Sequence, residues 1–145
     1  MDVLENYATA VDRLKDAESR NIAAHLEFAE TLRPKLNDLS MVGQIREWYQ
    51  QTARECRFKG DGKGNNKQFV FLILNLYSPA SLIGGSINKS LRRAIASALG
   101  ITAGHAIYKM RSLAIAWYRT YPRFQNECNT AILKIDEKLS AKEQA

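Results

Sequence analysis

Cysteine and histidine are scarce in this chain of 145 residues, which holds two cysteines, Cys56 and Cys128, and two histidines, His25 and His105. Two thiols give no disulfide framework and too few ligands for a structural zinc site. The cysteines read as small core residues and His25 as a packed or rim histidine. Three prolines and eight glycines are too few for a turn-rich sandwich or barrel. The most apolar run, Phe69 to Tyr77, is about half the ~20 residues a membrane span needs, and Asn75 interrupts it. Met1-Asp2-Val3-Leu4-Glu5 is acidic where a secretory leader is basic, so the expectation is a cytoplasmic protein with no membrane partner and reduced thiols. Glu47 and Glu55 share one helix without a second acidic helix to complete a di-metal site. With no catalytic set, metal motif or cofactor pattern, an enzyme has little support.

The most informative shortage is acid. The net charge is +6, but residues 1–50 are net −3, residues 51–123 net +10 and residues 124–145 net −1. No acid at all lies between Asp61 and Glu127, a span that holds Lys63, Lys67, Lys89, Arg92, Arg93, Lys109, Arg111, Arg119 and Arg123. Ordinary surface helices mix signs to gain pairs one turn apart. A span kept free of carboxylates suits a polyanion, since interspersed acids would repel phosphates. The plainer alternatives are a basic surface kept for solubility, or one that pairs with the acidic N-terminal part.

What is present reads as an all-α fold of five to seven helices. A hydrophobic content of 46% with 25% charge is that of a globular chain. Leu4, Tyr7, Val11, Leu14, Ile22, Leu26, Ala29 and Leu32 recur at helical steps, predicting a long N-terminal helix over 2–33 with a joint near Glu18 and Asn21. It either completes the core or forms a dimerisation arm. A second helix starts at Asp38 or Ser40, both good caps, and reaches Phe58, closing an N-terminal unit of residues 1–58. Residues 59–67 form a flexible basic loop that either meets phosphate through Lys63 and Lys67 or serves as a linker. Its glycines lack the spacing of a phosphate-binding P-loop. Gln68 to Tyr77 is apolar all round and, with no second β-rich run to pair with, opens a helical core over 68–139. Within it, helices span about 88–99 and 102–121, the first capped by Ser86 or Asn88 and the second by Thr102, and a last helix covers 123–139. Residues 140–145 are a frayed tail.

Leu91-Arg92-Arg93-Ala94-Ile95-Ala96-Ser97-Ala98-Leu99-Gly100-Ile101-Thr102 carries a pattern with a physical rationale. Ala96 stands four residues before Gly100, small enough for two steeply crossed helices to approach. Gly100 suits the positive φ of a tight turn, and Ile101 plugs the gap between the helices. This stretch resembles the first helix and turn of helix-turn-helix DNA-binding proteins, over residues 88–113. It departs from that family where Ala106 and Lys109 occupy positions usually apolar. The apolar stripe runs through Ile107, Met110, Ala114, Trp117 and Tyr121, shifted by one, which implies a longer turn. The resemblance implies that the first helix lies across the backbone and the second enters the major groove. Lys89, Arg92 and Arg93 are then phosphate contacts, and His105, Tyr108, Lys109 and Arg111 face bases. Trp48, Trp117, Tyr118 and Tyr121 read as core or rim aromatics.

The expectation is a small DNA-binding, transcription-regulatory protein of a bacterium, phage or mobile element. Its alternative is an interaction module, such as a phage-type inhibitor or adaptor, that applies the basic face to an acidic protein. The partners called for are DNA or that acidic protein, with a possible homodimer through residues 2–33.

Overall fold

The structure, a computed structural model, describes residues 2–17, 30–60, 62–102 and 104–144, without the side chains of 16, 17 and 62–64. These residues form six α-helices and no strand. They are α1 (Val3–Ala17), α2 (Val42–Glu55), α3 (Gly62–Tyr77), α4 (Lys89–Leu99), α5 (His105–Thr120) and α6 (Pro122–Glu143). Short 3₁₀ turns cover Leu39–Met41 and Pro79–Ile83. The all-α architecture matches the period of the apolar residues. No helix among the described residues is long and apolar enough to cross a membrane.

The core is built around α3, which packs against α2, α4, α5 and α6. Every residue from Gln68 to Tyr77 is buried, as a helix apolar on all sides must be. Its two polar members find partners on other helices. Gln68 Oε1 accepts from the Tyr49 hydroxyl, while Gln68 Nε2 donates to Glu127 at 2.8 Å. Asn75 Oδ1 accepts from the Tyr7 hydroxyl. Phe71 stacks on Tyr118 at 4.5 Å between centroids. The Tyr118 hydroxyl accepts from the Val3 amide and donates to Asn129, each at 2.8 Å. These bonds tie α1 and α6 to the centre and leave those buried groups satisfied.

Several expected boundaries move. The loop over 59–67 is shorter, because α3 begins at Gly62 and takes Asn65, Asn66 and Lys67 into its first turns. A tertiary contact overrides the weak helix propensity there: Arg46 Nη2 donates to Asn66 Oδ1 at 2.9 Å. The second helix stops at Glu55, and the chain turns away with Arg57 at φ 54°. Cys56 is exposed at that end instead of lying in the core, while Cys128 is buried. The last helix runs from Pro122 to Glu143, since Ala141, Lys142 and Glu143 are good helix formers and no breaker intervenes. Residues 140–143, expected as part of a frayed tail, are helical.

The described first part of the N-terminal arm, α1, turns one face into the core. Val3, Leu4, Tyr7 and Ala10 are buried, and α1 packs on the Pro79–Ile83 turn of its own chain. That part of the stripe is already covered and cannot also form a dimer surface. Ile22, His25, Leu26 and Ala29 lie outside the described residues.

Candidate nucleic-acid interface

The basic helix pair is defined by its ends. Asn88 caps α4 as expected, its Oδ1 accepting from the Ser90 amide at 2.8 Å. Gly100 ends it in the left-handed region, at φ 70° and ψ 30°. The Gly100 amide donates to Ser97 O, and the Ile101 amide to Ala96 O at 2.9 Å, which is the paired arrangement of a Schellman stop. Leu91, Ile95 and Ala96 are buried and Lys89, Arg93 and Ser97 are exposed, so the helix presents one apolar and one basic face.

Thr102 is not the cap of the next helix. α5 starts at His105, with Gly104 before it offering no side-chain cap, and Thr102 is an exposed residue of the turn. The connection between α4 and α5 spans residues 100–104. Ile101 is held by the Schellman bond and packs on the core, and the chain needs further residues before it can bury Ile107. Ile107, Ala114 and Tyr118 are buried on α5, while Tyr121 stands 55% exposed as the residue between α5 and α6. His105, Lys109, Ser112 and Arg119 share the exposed face.

A groove of about 660 Å³ opens between the two helices, lined by Lys89, Arg92, Arg93, Ala96, Ser97, Ile101, Thr102, Gly104 and His105. The chain thus brings Lys89, Arg92, Arg93, Thr102 and His105 to one place, and Lys109 follows His105 by one turn on α5. Among the described residues, ion pairs within 4 Å join Arg33 to Glu30, Lys35 to Asp136 and Lys134 to Glu137, and none involves Lys89, Arg92, Arg93 or Lys109. The Arg92 Nε is buried without a hydrogen-bond partner.

Three expected contacts are used internally. Tyr108 meets two guanidinium groups, with Arg92 at 5.2 Å and Arg111 at 4.9 Å from its ring centroid. Its hydroxyl donates to the Ile87 carbonyl and accepts from the Ile87 amide. The ring and its hydroxyl are thus engaged within the chain instead of being presented to a base. Arg111 donates to the carbonyls of Gly85, at 2.8 Å, and Ser81, at 3.3 Å, so it braces the turn ahead of α4 instead of facing bases. Lys67 sits 4.8 Å over the Trp117 ring on α5 and is half-buried there, away from any loop. The Lys63 side chain lies outside the described residues.

One basic cluster went unread in the sequence. Arg46, Arg54 and Arg57 line a separate cavity beside α2. A step of eight residues places Arg46 and Arg54 on one face of α2, and the turn after Glu55 brings Arg57 beside them; the signal was lost because Arg46 belongs to the net-acidic third of the chain. Among the described residues, no group of three or more His, Cys, Asp or Glu side chains could hold a metal ion. Comparison with protein-family models, curated proteins and solved structures found no match to this chain.

Proposed function

We propose that the protein binds duplex DNA through the groove between α4 and α5, as a variant helix-turn-helix unit serving transcription regulation. What supports this reading most is one observation: Lys89, Arg92, Arg93, Thr102 and His105 line a single groove, and no carboxylate pairs with its cations among the described residues. Lys89, Arg92 and Arg93 neutralise phosphates along α4, and His105 and Lys109 reach base edges from the first turns of α5. A major groove of B-form width admits a helix, whereas the narrow major groove of an RNA duplex does not, which favours DNA.

The test is fluorescence anisotropy with random duplex over a salt series. Binding should weaken steeply as salt rises, and Lys89→Ala with Arg93→Ala should lower the log–log slope by about one per lost contact. An unchanged slope in the double variant rules the groove out. No binding even at low salt redirects the basic face to an acidic protein partner.

A further inference from the structure

The cavity beside α2 lies outside the groove just described. It measures about 410 Å³ and is lined by Arg46, Tyr49, Gln50, Ala53, Arg54, Arg57, Phe58 and Asn65. No carboxylate lines it among the described residues, so three guanidinium groups share one concave surface. Arg46 is held in place by its neighbours. Its guanidinium sits 4.9 Å from the Phe69 ring centroid and 5.9 Å from that of Tyr49, and Nη2 donates to Asn66. Its Nε and Nη1 are nevertheless buried with no acceptor. A buried charged donor without a partner is costly, and native folds seldom retain one without a use. Asn65 lines the same cavity, and its Oδ1 is buried with no donor.

The arginines that line the cavity define its complement: an anion with several acceptor oxygens, joined to a hydroxyl or amine within reach of the Asn65 side-chain amide. Phe58 and Ala53 supply an apolar wall. We infer that this cavity is a binding site for a phosphate monoester group carried on a hydroxyl- or amine-bearing moiety, as in a nucleotide. Guanidinium recognises phosphate through charge-assisted hydrogen bonds, which are the strong ones. The volume lies within the range of small-molecule sites. The same chemistry occurs on a free nucleotide and at the phosphorylated end of a nucleic acid strand.

Calorimetry on the full chain tests this with adenosine monophosphate, adenosine, and an oligonucleotide with or without a terminal phosphate. Adenosine monophosphate should bind saturably at millimolar concentration or below, and adenosine should not. Arg54→Gln with Arg57→Gly should reduce that affinity about tenfold or more, by loss of charged hydrogen bonds. Both positions are exposed, and glycine suits the φ of 54° at residue 57, so the fold is retained and circular dichroism verifies it. Binding of the phosphorylated oligonucleotide, weakened by the same variant while the unphosphorylated one is unaffected, assigns the phosphate to a strand end. Binding of the mononucleotide alone assigns it to a free ester. The inference is overturned if neither binds, if adenosine binds equally well, or if Lys89→Ala with Arg93→Ala abolishes binding while the Arg54 and Arg57 variant does not. Loss of duplex binding in the Lys89 and Arg93 variant, with nucleotide binding intact, separates this site from the groove.

Discussion

Gln68 and Asn75 on α3 and Lys89 and Arg93 on α4 belong to the same acid-free span, yet their environments are opposite. On α3 these two side chains meet partners from other helices: Tyr49 and Glu127 for Gln68, Tyr7 for Asn75. On α4 the lysine and arginine are exposed, and no carboxylate pairs with them among the described residues. A polar group in the interior must be satisfied by the fold itself, because burial without a hydrogen bond costs several kcal/mol in an apolar medium, roughly 2–7. A surface cation needs no such partner and stays available to an external anion. The acid-free span is thus one composition serving two ends. Arg92 and Tyr108 sit at the border, stacked on one another at the edge of the groove.

The comparison can be broken most forcefully with alkali. Burial, foremost, pushes the phenols of Tyr7 and Tyr77 from 10.0 up to about 12, and it raises Tyr49 and Tyr118 as well. A raised folded-state pKa contributes stability that is fully present below pH 10, where the unfolded phenols are protonated. It is lost as pH rises from about 10 through about 12. The protein should unfold cooperatively in that window, with phenolate absorbance appearing together with loss of helical circular dichroism. Phenolate signal from these buried tyrosines well before unfolding would show that the α3 interior is not closed.

Next in size is a pair on opposite faces of α5. Ile107 is fully buried, so Ile107→Ala should cost about 2–5 kcal/mol in denaturant unfolding, through lost burial and the cavity left behind. Lys109 is exposed, and Lys109→Ala should shift stability by less than about 0.5 kcal/mol. That variant should still weaken DNA binding, and more for a preferred site than for random duplex, since base contacts discriminate and phosphate contacts do not. A large stability loss at Lys109 would mean that the helix faces are exchanged.

The smallest effects lie in the turn between α4 and α5. Open space surrounds a side chain added at Gly100 or Gly104, so only backbone conformation separates the two. Gly100 has φ 70°, and Gly100→Ala should destabilise by about 1–2 kcal/mol, the cost of a left-handed alanine. Gly104 has φ −61° and ψ −28°, and Gly104→Ala should be neutral or stabilise by up to about 1 kcal/mol by restricting the unfolded chain. Thermal unfolding of the two variants measures the difference, and equal effects would dispose of the Schellman turn.

The apolar period, a cap at Ser86 or Asn88 and the left-handed Gly100 were determined by sequence alone, because each is a local property of a few neighbouring residues. So was the absence of acid between Asp61 and Glu127, whereas the fold decided that no described acid from elsewhere pairs with Lys89, Arg92, Arg93 or Lys109. The tertiary structure alone decided which long side chains remain outside. Arg111 reaches the carbonyls of Ser81 and Gly85, Tyr108 the backbone of Ile87, and Lys67 the ring of Trp117, all across sequence separations that no local pattern encodes. The same is true of Gly62–Asn66, whose helix start depends on a guanidinium from α2, and of Arg46 itself, whose orphaned nitrogens become visible only once α3 covers it. Flexible cationic side chains have apolar stems long enough to fold back on rings and carbonyls, so their final direction depends on what the fold brings within reach.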